Sequence, residues 1–141
     1  MHSSRSSVIR SFIYTCVILL PLLICSRVIA ADISVQQLLQ RLDSNDAPLI
    51  LDVRSPEEYA AGHVPTAANI PHTELENRLD ELQADHNQEI VVYCESGRRA
   101  AIAQDILARA GFSRVVHLQG DMKAWRMHTL PTETGESGTH R

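Results

Sequence analysis

The sequence predicts an α/β domain with a mainly parallel sheet and helices on its faces. Short apolar runs typical of buried strands alternate along the chain with segments whose apolar residues recur at helical spacing. Serine, proline and glycine stand at the ends of these segments, where helices begin and end. A chain of 141 residues has the length of a single domain. The repeated alternation of strand and helix favours parallel strands joined by crossover helices.

The first predicted elements are a helix at 34–42 and a strand at 49–53. Ser34 is a candidate N-cap for the helix. The apolar residues that share one helical face are Val35, Leu38, Leu39 and Leu42. The segment Leu-Ile-Leu-Asp-Val at 49–53 is typical of a short buried strand.

A short helix with strong end signals follows. Ser55 is its predicted N-cap, Pro56 fits the first helical position, and Glu58 completes a capping box. Gly62 is the expected stop, because glycine adopts the backbone conformations found after helices.

The rest of the domain continues the alternation. Strands are predicted at 67–70, 89–93 and 114–118, and helices at 73–83, 99–110 and 121–127. The apolar faces of the first two of these helices are Leu75, Leu79 and Leu82, and then Ile102, Ile106 and Leu107. We therefore assign the domain to residues 32–128, and we expect the polar segment 129–141 to form a flexible tail.

Residues 1–31 have the pattern of a secretory signal peptide. Arg5 and Arg10 provide a basic start, 11–25 carry no charge, and small residues follow. We expect cleavage after Ala30 or Ala31, which places the mature protein in the periplasm or outside the cell.

Two other interpretations of this N-terminal segment are weaker. A retained membrane anchor needs about 20 apolar residues, whereas Pro21 interrupts the run and Arg27 ends it. A lipoprotein anchored at Cys25 would need a small residue just before the cysteine, and Ile24 is bulky. We therefore expect no stable membrane insertion after cleavage.

Charge and cysteine content narrow the functions of the mature chain. The net charge of -4 argues against a nucleic-acid binder, which needs a basic face. Cleavage would remove three arginines, no acidic residue, and two of the three cysteines. The mature protein is expected to be an acidic, soluble monomer with a single thiol, Cys94. An odd cysteine in an exported protein indicates a reactive thiol or an intermolecular bridge.

Cys94 lies between a predicted strand and a predicted helix, where sites form in open α/β sheets. The turn after it is Glu95-Ser96-Gly97-Arg98-Arg99. Its backbone N–H groups, the helix N-terminus and two forked guanidinium groups would favour a thiolate and an oxyanion substrate. We expect the Glu95 carboxylate to point away from the sulfur. A buried structural cysteine is the alternative.

Three motifs in order resemble a single-domain rhodanese, a sulfurtransferase. The first comprises Asp52-Val53-Arg54, Glu58-Tyr59, Gly62-His63-Val64-Pro65 and Ala67-Ala68-Asn69-Ile70-Pro71; the second is Val92-Tyr93-Cys94-Glu95-Ser96-Gly97-Arg98-Arg99; the third is Leu118-Gln119-Gly120 with Ala124-Trp125. With the export signal, the chain is similar to small periplasmic rhodaneses of the phage-shock type. Thr66 and Asp121 depart from the pattern at positions where glycine is frequent, which we expect to affect turn geometry rather than chemistry.

The resemblance implies a rhodanese-like fold and a two-step exchange through a persulfide on Cys94. A small sulfur-donor anion such as thiosulfate gives its outer sulfur to the cysteine, and cyanide or a thiol accepts it. Residues 95–99 would bind the donor, and no cofactor or metal is implied. No His-x-x-x-His pair or cysteine partner stands at ligand spacing, so a zinc site is not expected.

Four further residues are expected to support the scaffold. Asp52 and Arg54 could orient the cysteine loop, but an ion pair that braces the fold is the simpler interpretation. His63 is expected to brace a turn, and Trp125 to pack in the core.

Two other functions compete with sulfur transfer. Cysteine phosphatases and arsenate reductases also use a thiolate in an anion-binding loop, but the phosphatase pattern places arginine six positions after the cysteine, where this chain has Ala100. The other alternative is a non-catalytic module that carries sulfur or binds a partner.

Overall fold

The computed structural model describes residues 32–135, which form a four-stranded parallel sheet covered by helices on both faces. The predicted signal segment 1–31 and the last residues, 136–141, lie outside the described residues. The elements, in chain order, are α1 (Val35–Asp43), β1 (Leu49–Asp52), α2 (Pro56–Ala61), β2 (Ala68–Asn69), two 3₁₀ segments (Leu75–Asn77 and Leu79–Leu82), β3 (Glu89–Tyr93), α3 (Arg98–Arg109), β4 (Arg114–His117) and α4 (Asp121–Met127). The α/β fold class predicted from the sequence is confirmed.

The strand order is β2-β1-β3-β4, and all three strand pairs are parallel. The carboxyl ends of β1 and β3 meet at the same edge, because Asp52 is paired with Tyr93. Cys94 follows Tyr93 directly and therefore lies at the carboxyl end of β3, next to the end of β1, where α/β sheets build sites.

Two apolar layers sandwich the sheet. One layer packs α1, α4 and Tyr59 of α2 against one face, with Trp125 fully buried in it. The other packs α3 and the 3₁₀ segments against the opposite face, and Cys94 belongs to this layer. Adjacent strand residues such as Ile90 and Val91 enter opposite layers, as the two-residue period of a strand requires.

The predicted capping signals are present in α1 and α2. Ser34 and Ser55 each accept a hydrogen bond from the backbone N–H three residues on, and Gln37 and Glu58 bond back to the cap N–H. These reciprocal bonds define where both helices start.

The predicted helix at 73–83 is wrong, because the chain forms the two 3₁₀ segments there. Leu75 and Leu82 are buried as their spacing indicates, but the non-helical backbone of Arg78 separates the segments and Gln83 turns left-handed at φ 46°. Arg78 instead bonds to Glu74 and Glu81 on either side of the break.

Two other predicted details differ from the structure. The strand expected at 67–70 is reduced to Ala68–Asn69 at the sheet edge. In α3, Ile102 is 45% exposed, while Ala100 and Ala103 are buried beside Ile106 and Leu107. Small residues therefore form part of the buried face of α3, which a search for large apolar side chains overlooks.

Residues 129–135 lie against the domain, which differs from the flexible tail expected from their polar composition. Glu133 and His63 exchange both backbone hydrogen bonds, at 2.9 and 3.0 Å. The Trp125 indole donates to the carbonyl of Pro131 at 2.7 Å, and Gly135 N–H donates to the carbonyl of Ala60. Backbone pairing of this kind leaves no signal in composition.

Candidate active site

Cys94 occupies the floor of a loop between β3 and α3. The residue is 1% exposed, so any partner must reach its sulfur through the loop that follows. The backbone of the cysteine is held on the α4 side, where Met122 N–H donates to the Cys94 carbonyl at 3.0 Å and Lys123 N–H donates to that of Glu95 at 3.2 Å. The first turn of α4 therefore holds the backbone at the beginning of the cysteine loop by two hydrogen bonds.

The sulfur of Cys94 has a donor and a cation beside it. Gly97 N–H donates to Sγ at 3.1 Å, and the left-handed backbone of Gly97, at φ 96°, is what folds the loop back over the sulfur. The guanidinium of Arg99 is the cation near the sulfur: its pKa is raised, first by its hydrogen bonds to Glu58 and further by the charge of Cys94, against partial desolvation. A backbone donor and a cation near the sulfur are the surroundings typical of reactive cysteines.

Glu58 connects α2 to the cysteine loop. Its carboxylate accepts two hydrogen bonds from Arg99, at 2.5 and 2.8 Å, in the forked geometry that guanidinium groups favour. Arg99 and then the backbone N–H of Ser55 lower the pKa of Glu58 to about 2. Arg99 is therefore held in place against the sulfur by an ionised partner, and its freedom to turn toward solvent is reduced.

The remaining predicted loop residues differ in what they do. Ser96 and Arg98 are exposed, and within residues 32–135 Arg98 forms no ion pair. The Glu95 carboxylate turns away from the sulfur to Arg126, as expected from its charge. Across the same described range, the backbone N–H groups of Ser96, Arg98 and Arg99 have no hydrogen-bond partner. An anion above the sulfur would find these donors available.

Asp52 and Arg54 form a buried ion pair that braces the end of β1. Arg54 Nη2 lies 2.6 Å from Asp52 Oδ2, and the two side chains are 2% and 0% exposed. Arg54 also donates to the carbonyl of Gly62 at 2.8 Å. These contacts hold the chain that surrounds the site, and Arg54 approaches the loop only at 4.0 Å from Glu95.

His63 and Tyr59 brace the turn after α2. Their rings stack at 3.6 Å between centroids, and His63 Nδ1 bonds to the carbonyl of Tyr59 at 2.8 Å. Both side chains are buried, and Tyr59 belongs to the apolar layer opposite Cys94. This geometry gives His63 a structural role.

Asp121 does more than shape its turn, which differs from the expectation, because its carboxylate contacts the backbone of Cys94. Oδ1 accepts the backbone N–H of Cys94 at 2.8 Å, and His117 Nε2 lies 3.1 Å from both carboxylate oxygens. Asp121 is 2% exposed and has a left-handed backbone at φ 56°. The replacement of glycine at this position was the available sequence signal, since a left-handed backbone is uncommon for residues other than glycine.

Thr66, the other such departure, contacts no loop residue. Its backbone is also left-handed, at φ 65°, and its N–H donates to the Glu133 carboxylate at 3.1 Å. It belongs to the contact between the turn and residues 129–135.

Residues 32–135 contain neither a metal-binding cluster nor a membrane-spanning helix. No group of three histidine, cysteine, aspartate or glutamate side chains in this range is arranged to hold a metal ion. None of the helices in the same range is long and apolar enough to cross a membrane.

The chain is an α/β domain with a buried cysteine in the loop at the carboxyl edge of its parallel sheet. The chain belongs to the rhodanese family, since residues 34–128 match the rhodanese-like domain.

Individual relatives agree with this assignment. A sulfurtransferase of Allochromatium vinosum is 36% identical over 71% of this chain and 92% of its own length. Thiosulfate sulfurtransferase PspE of Escherichia coli is 39% identical over 50% of this chain and 67% of its own length. YrkF of Bacillus subtilis, named as a candidate sulfur carrier protein, is 38% identical over 67% of this chain; the chain spans only 50% of that protein.

Solved structures show the same architecture. The human single-domain sulfurtransferase TSTD1 superposes with a TM-score of 0.62 at 30% identity, covering 68% of this chain and 95% of the other. A rhodanese-related protein from Thermoplasma volcanium superposes with a TM-score of 0.63 at 26% identity, covering 73% and 97%. The fold and the family are thus shared with sulfurtransferases.

Proposed function

We propose that this protein transfers a sulfane sulfur from a small anionic donor such as thiosulfate to cyanide or a thiol, through a persulfide on Cys94. The observation that carries the proposal is the sulfur of Cys94 with Gly97 N–H at 3.1 Å and the Arg99 guanidinium beside it. A thiolate held by a donor and a cation has the activation that a nucleophilic cysteine needs.

The first step forms the persulfide. The Cys94 thiolate attacks the outer sulfur of thiosulfate, a new S–S bond forms, and sulfite leaves with the electron pair of the bond that breaks. The unpartnered N–H groups of the loop would bind the donor's oxygens, and exposed Arg98 would attract it to the site.

The second step returns the enzyme to its starting state. Cyanide or a thiolate attacks the terminal sulfur of the persulfide, and the Cys94 thiolate leaves. The contacts from Gly97 and Arg99 that stabilise the attacking thiolate also stabilise it as a leaving group, so the same site serves both steps. The reaction is a transfer between sulfur centres and requires no cofactor.

Thiocyanate formation from thiosulfate and cyanide tests this proposal. We expect saturable thiocyanate release by the purified protein and none by Cys94→Ser. The phosphatase alternative is tested in parallel with an aryl phosphate: phosphate release without thiocyanate would refute sulfur transfer. The loop favours thiocyanate release over phosphate release, because Arg99 lies one position nearer to the cysteine than the phosphatase pattern requires.

A sulfur carrier is the second candidate, and the YrkF relative favours it. A carrier would form the same persulfide but would pass its sulfur only to a specific protein. Single-turnover loading without multiple turnover on cyanide or small thiols would identify a carrier. Absence of any sulfur adduct would instead indicate a non-catalytic binding module.

We also propose that the protein is exported and works as a monomer in the periplasm or outside the cell. The basic start and uncharged run before Ala30 support export. N-terminal sequencing of the protein from the exported fraction is expected to begin at Ala31 or Asp32. Recovery of the intact N-terminus in the membrane fraction would contradict cleavage, and sizing chromatography would test the monomer.

A further inference from the structure

We propose that Asp121 and His117 form a positioning pair that sets both the geometry and the reactivity of Cys94 in the sulfur-transfer reaction. Asp121 lies at the start of α4 and His117 at the end of β4, so neither belongs to the cysteine loop. The proposal rests on the proposed function for its kinetic consequence, but the geometry of the pair is independent of the substrate.

Asp121 anchors the backbone of Cys94. The buried carboxylate of Asp121 accepts the Cys94 N–H at 2.8 Å, at the residue where β3 ends and the loop begins. The next residue, Met122, donates to the Cys94 carbonyl at 3.0 Å. Both polar groups of the cysteine backbone are therefore held from one point of α4, which fixes the direction in which its side chain leaves the strand.

Asp121 and His117 also pack against the cysteine loop. A Cβ placed on Gly97 would lie 3.2 Å from Asp121 Oδ2 and 3.5 Å from His117 Cε1. Asp121 and His117 therefore lie next to Gly97, the residue whose N–H donates to Sγ. A shift of the pair would displace both the anchor of Cys94 and the donor to Sγ.

The charges of Asp121 and His117 are expected to affect the reactivity of Cys94. A bare carboxylate behind the cysteine would disfavour the thiolate, because like charges at short distance repel. His117 Nε2 lies 3.1 Å from both oxygens of Asp121 and neutralises it when protonated. The hydrogen bond to Asp121 raises the pKa of His117 against partial desolvation, and the carboxylates of Asp121 and Asp32 act in the same direction.

The charged groups that face the pair and the sulfur come from several elements. Asp32, before α1, faces His117 alongside Asp121 of α4. Arg99 of α3 faces the sulfur and is itself paired with Glu58 of α2. When His117 loses its proton, Asp121 becomes a negative charge beside Cys94 that His117 no longer compensates.

Three variants separate the anchor from the charge. Asp121→Asn keeps an oxygen acceptor for the Cys94 N–H and removes the need for a protonated His117. Asp121→Gly removes the anchor while suiting the left-handed backbone, so its effect is not backbone strain. His117→Gln keeps a donor to the carboxylate but leaves its charge uncompensated. His128→Gln, an exposed histidine at the end of α4, is the matched control.

The test measures iodoacetamide alkylation of the Cys94 peptide across pH 5–9, together with kcat and KM for thiosulfate, on variants shown to be folded by circular dichroism. We expect His117→Gln to alkylate roughly three- to tenfold more slowly at pH 7, with its profile displaced to higher pH. Asp121→Gly is expected to lose roughly tenfold or more in kcat. Asp121→Asn is expected to recover most of that loss, and His128→Gln to match the unsubstituted protein.

The outcomes distinguish this inference from the proposed function. Alkylation reports the reactivity of Cys94 whether or not thiosulfate is the donor, so a protein inactive on thiosulfate still tests the pair. Equal alkylation profiles for His117→Gln and the unsubstituted protein would overturn the charge argument. An Asp121→Asn variant as impaired as Asp121→Gly in both readouts would overturn the anchor.

Discussion

Replacing Arg54 with methionine tests the reasoning that a buried ion pair braces the site. In the structure, Arg54 Nε lies 3.0 Å from both oxygens of Asp52, and Nη2 lies 2.6 Å from Oδ2. The substitution fills similar volume but leaves the fully buried Asp52 carboxylate without these donors. It also leaves the carbonyl of Gly62 without its 2.8 Å partner.

The expected cost is about 3–5 kcal/mol of unfolding free energy, which is typical when one partner of a buried pair is removed. That is a large share of the roughly 5–15 kcal/mol that stabilises a domain. Urea unfolding followed by tryptophan fluorescence measures it, because Trp125 is fully buried. Adding Asp52→Asn to Arg54→Met is expected to recover at least about 1 kcal/mol, since the uncompensated charge is then gone.

Arg78→Met is the matched control, because Arg78 has similar hydrogen bonds at the surface. It bonds to Glu74 at 2.6 Å and to Glu81 at 2.7 Å, with a side chain that is 35% exposed. Solvent screens such pairs, so the expected cost is at most about 1 kcal/mol. Equal costs for Arg54→Met and Arg78→Met would refute the argument from burial.

Three further predictions concern the loop and its supports. Gly97→Ala forces alanine into a backbone at φ 96° and places its Cβ 3.2 Å from Asp121 Oδ2, so we expect roughly tenfold or greater loss of sulfur transfer with about 1–2 kcal/mol of destabilisation, measured by thiocyanate release and urea unfolding. Because Arg99 lowers the pKa of Glu58 from 4.5 to about 2, the stabilisation from Glu58 is fully present above pH 4.5 and is lost as pH falls toward 2. The gap in unfolding free energy between the unsubstituted protein and Glu58→Gln, about 1 kcal/mol at pH 7 for this partly exposed group, is therefore expected to close over that range; a constant gap would contradict it. Ser55→Ala removes the acceptor for the Glu58 N–H and is expected to cost about 1 kcal/mol in urea unfolding without changing the reaction on small donors.

The sequence predicted the fold where local chemistry and burial agree. The N-cap at Ser34, the capping box at Ser55 and the apolar strand 89–93 were predicted correctly. Leucine spacing at 75–82 indicated burial correctly but the wrong helix type. Periodicity reports which side of a segment is buried, and it does not distinguish an α-helix from successive 3₁₀ turns.

The candidate site was predictable only in its contiguous part. Cys94, Gly97 and Arg99 are neighbours in sequence, and a strand–loop–helix turn brings them together in any parallel sheet. Asp121 reaches Cys94 from a position 27 residues away, by a contact that depends on how α4 docks against β3. Long-range contacts of this kind have no local pattern, and the residue was visible in the sequence only as an unusual replacement for glycine.

The central claim is that Cys94 carries the transferred sulfur. Intact-protein mass spectrometry after brief treatment with thiosulfate tests it most directly, with peptide mapping to locate the adduct. The account predicts a gain of one sulfur atom at Cys94, removed by cyanide with release of thiocyanate, and no gain in Cys94→Ser. A protein that gains no mass under these conditions, or gains the same mass in Cys94→Ser, would contradict the account.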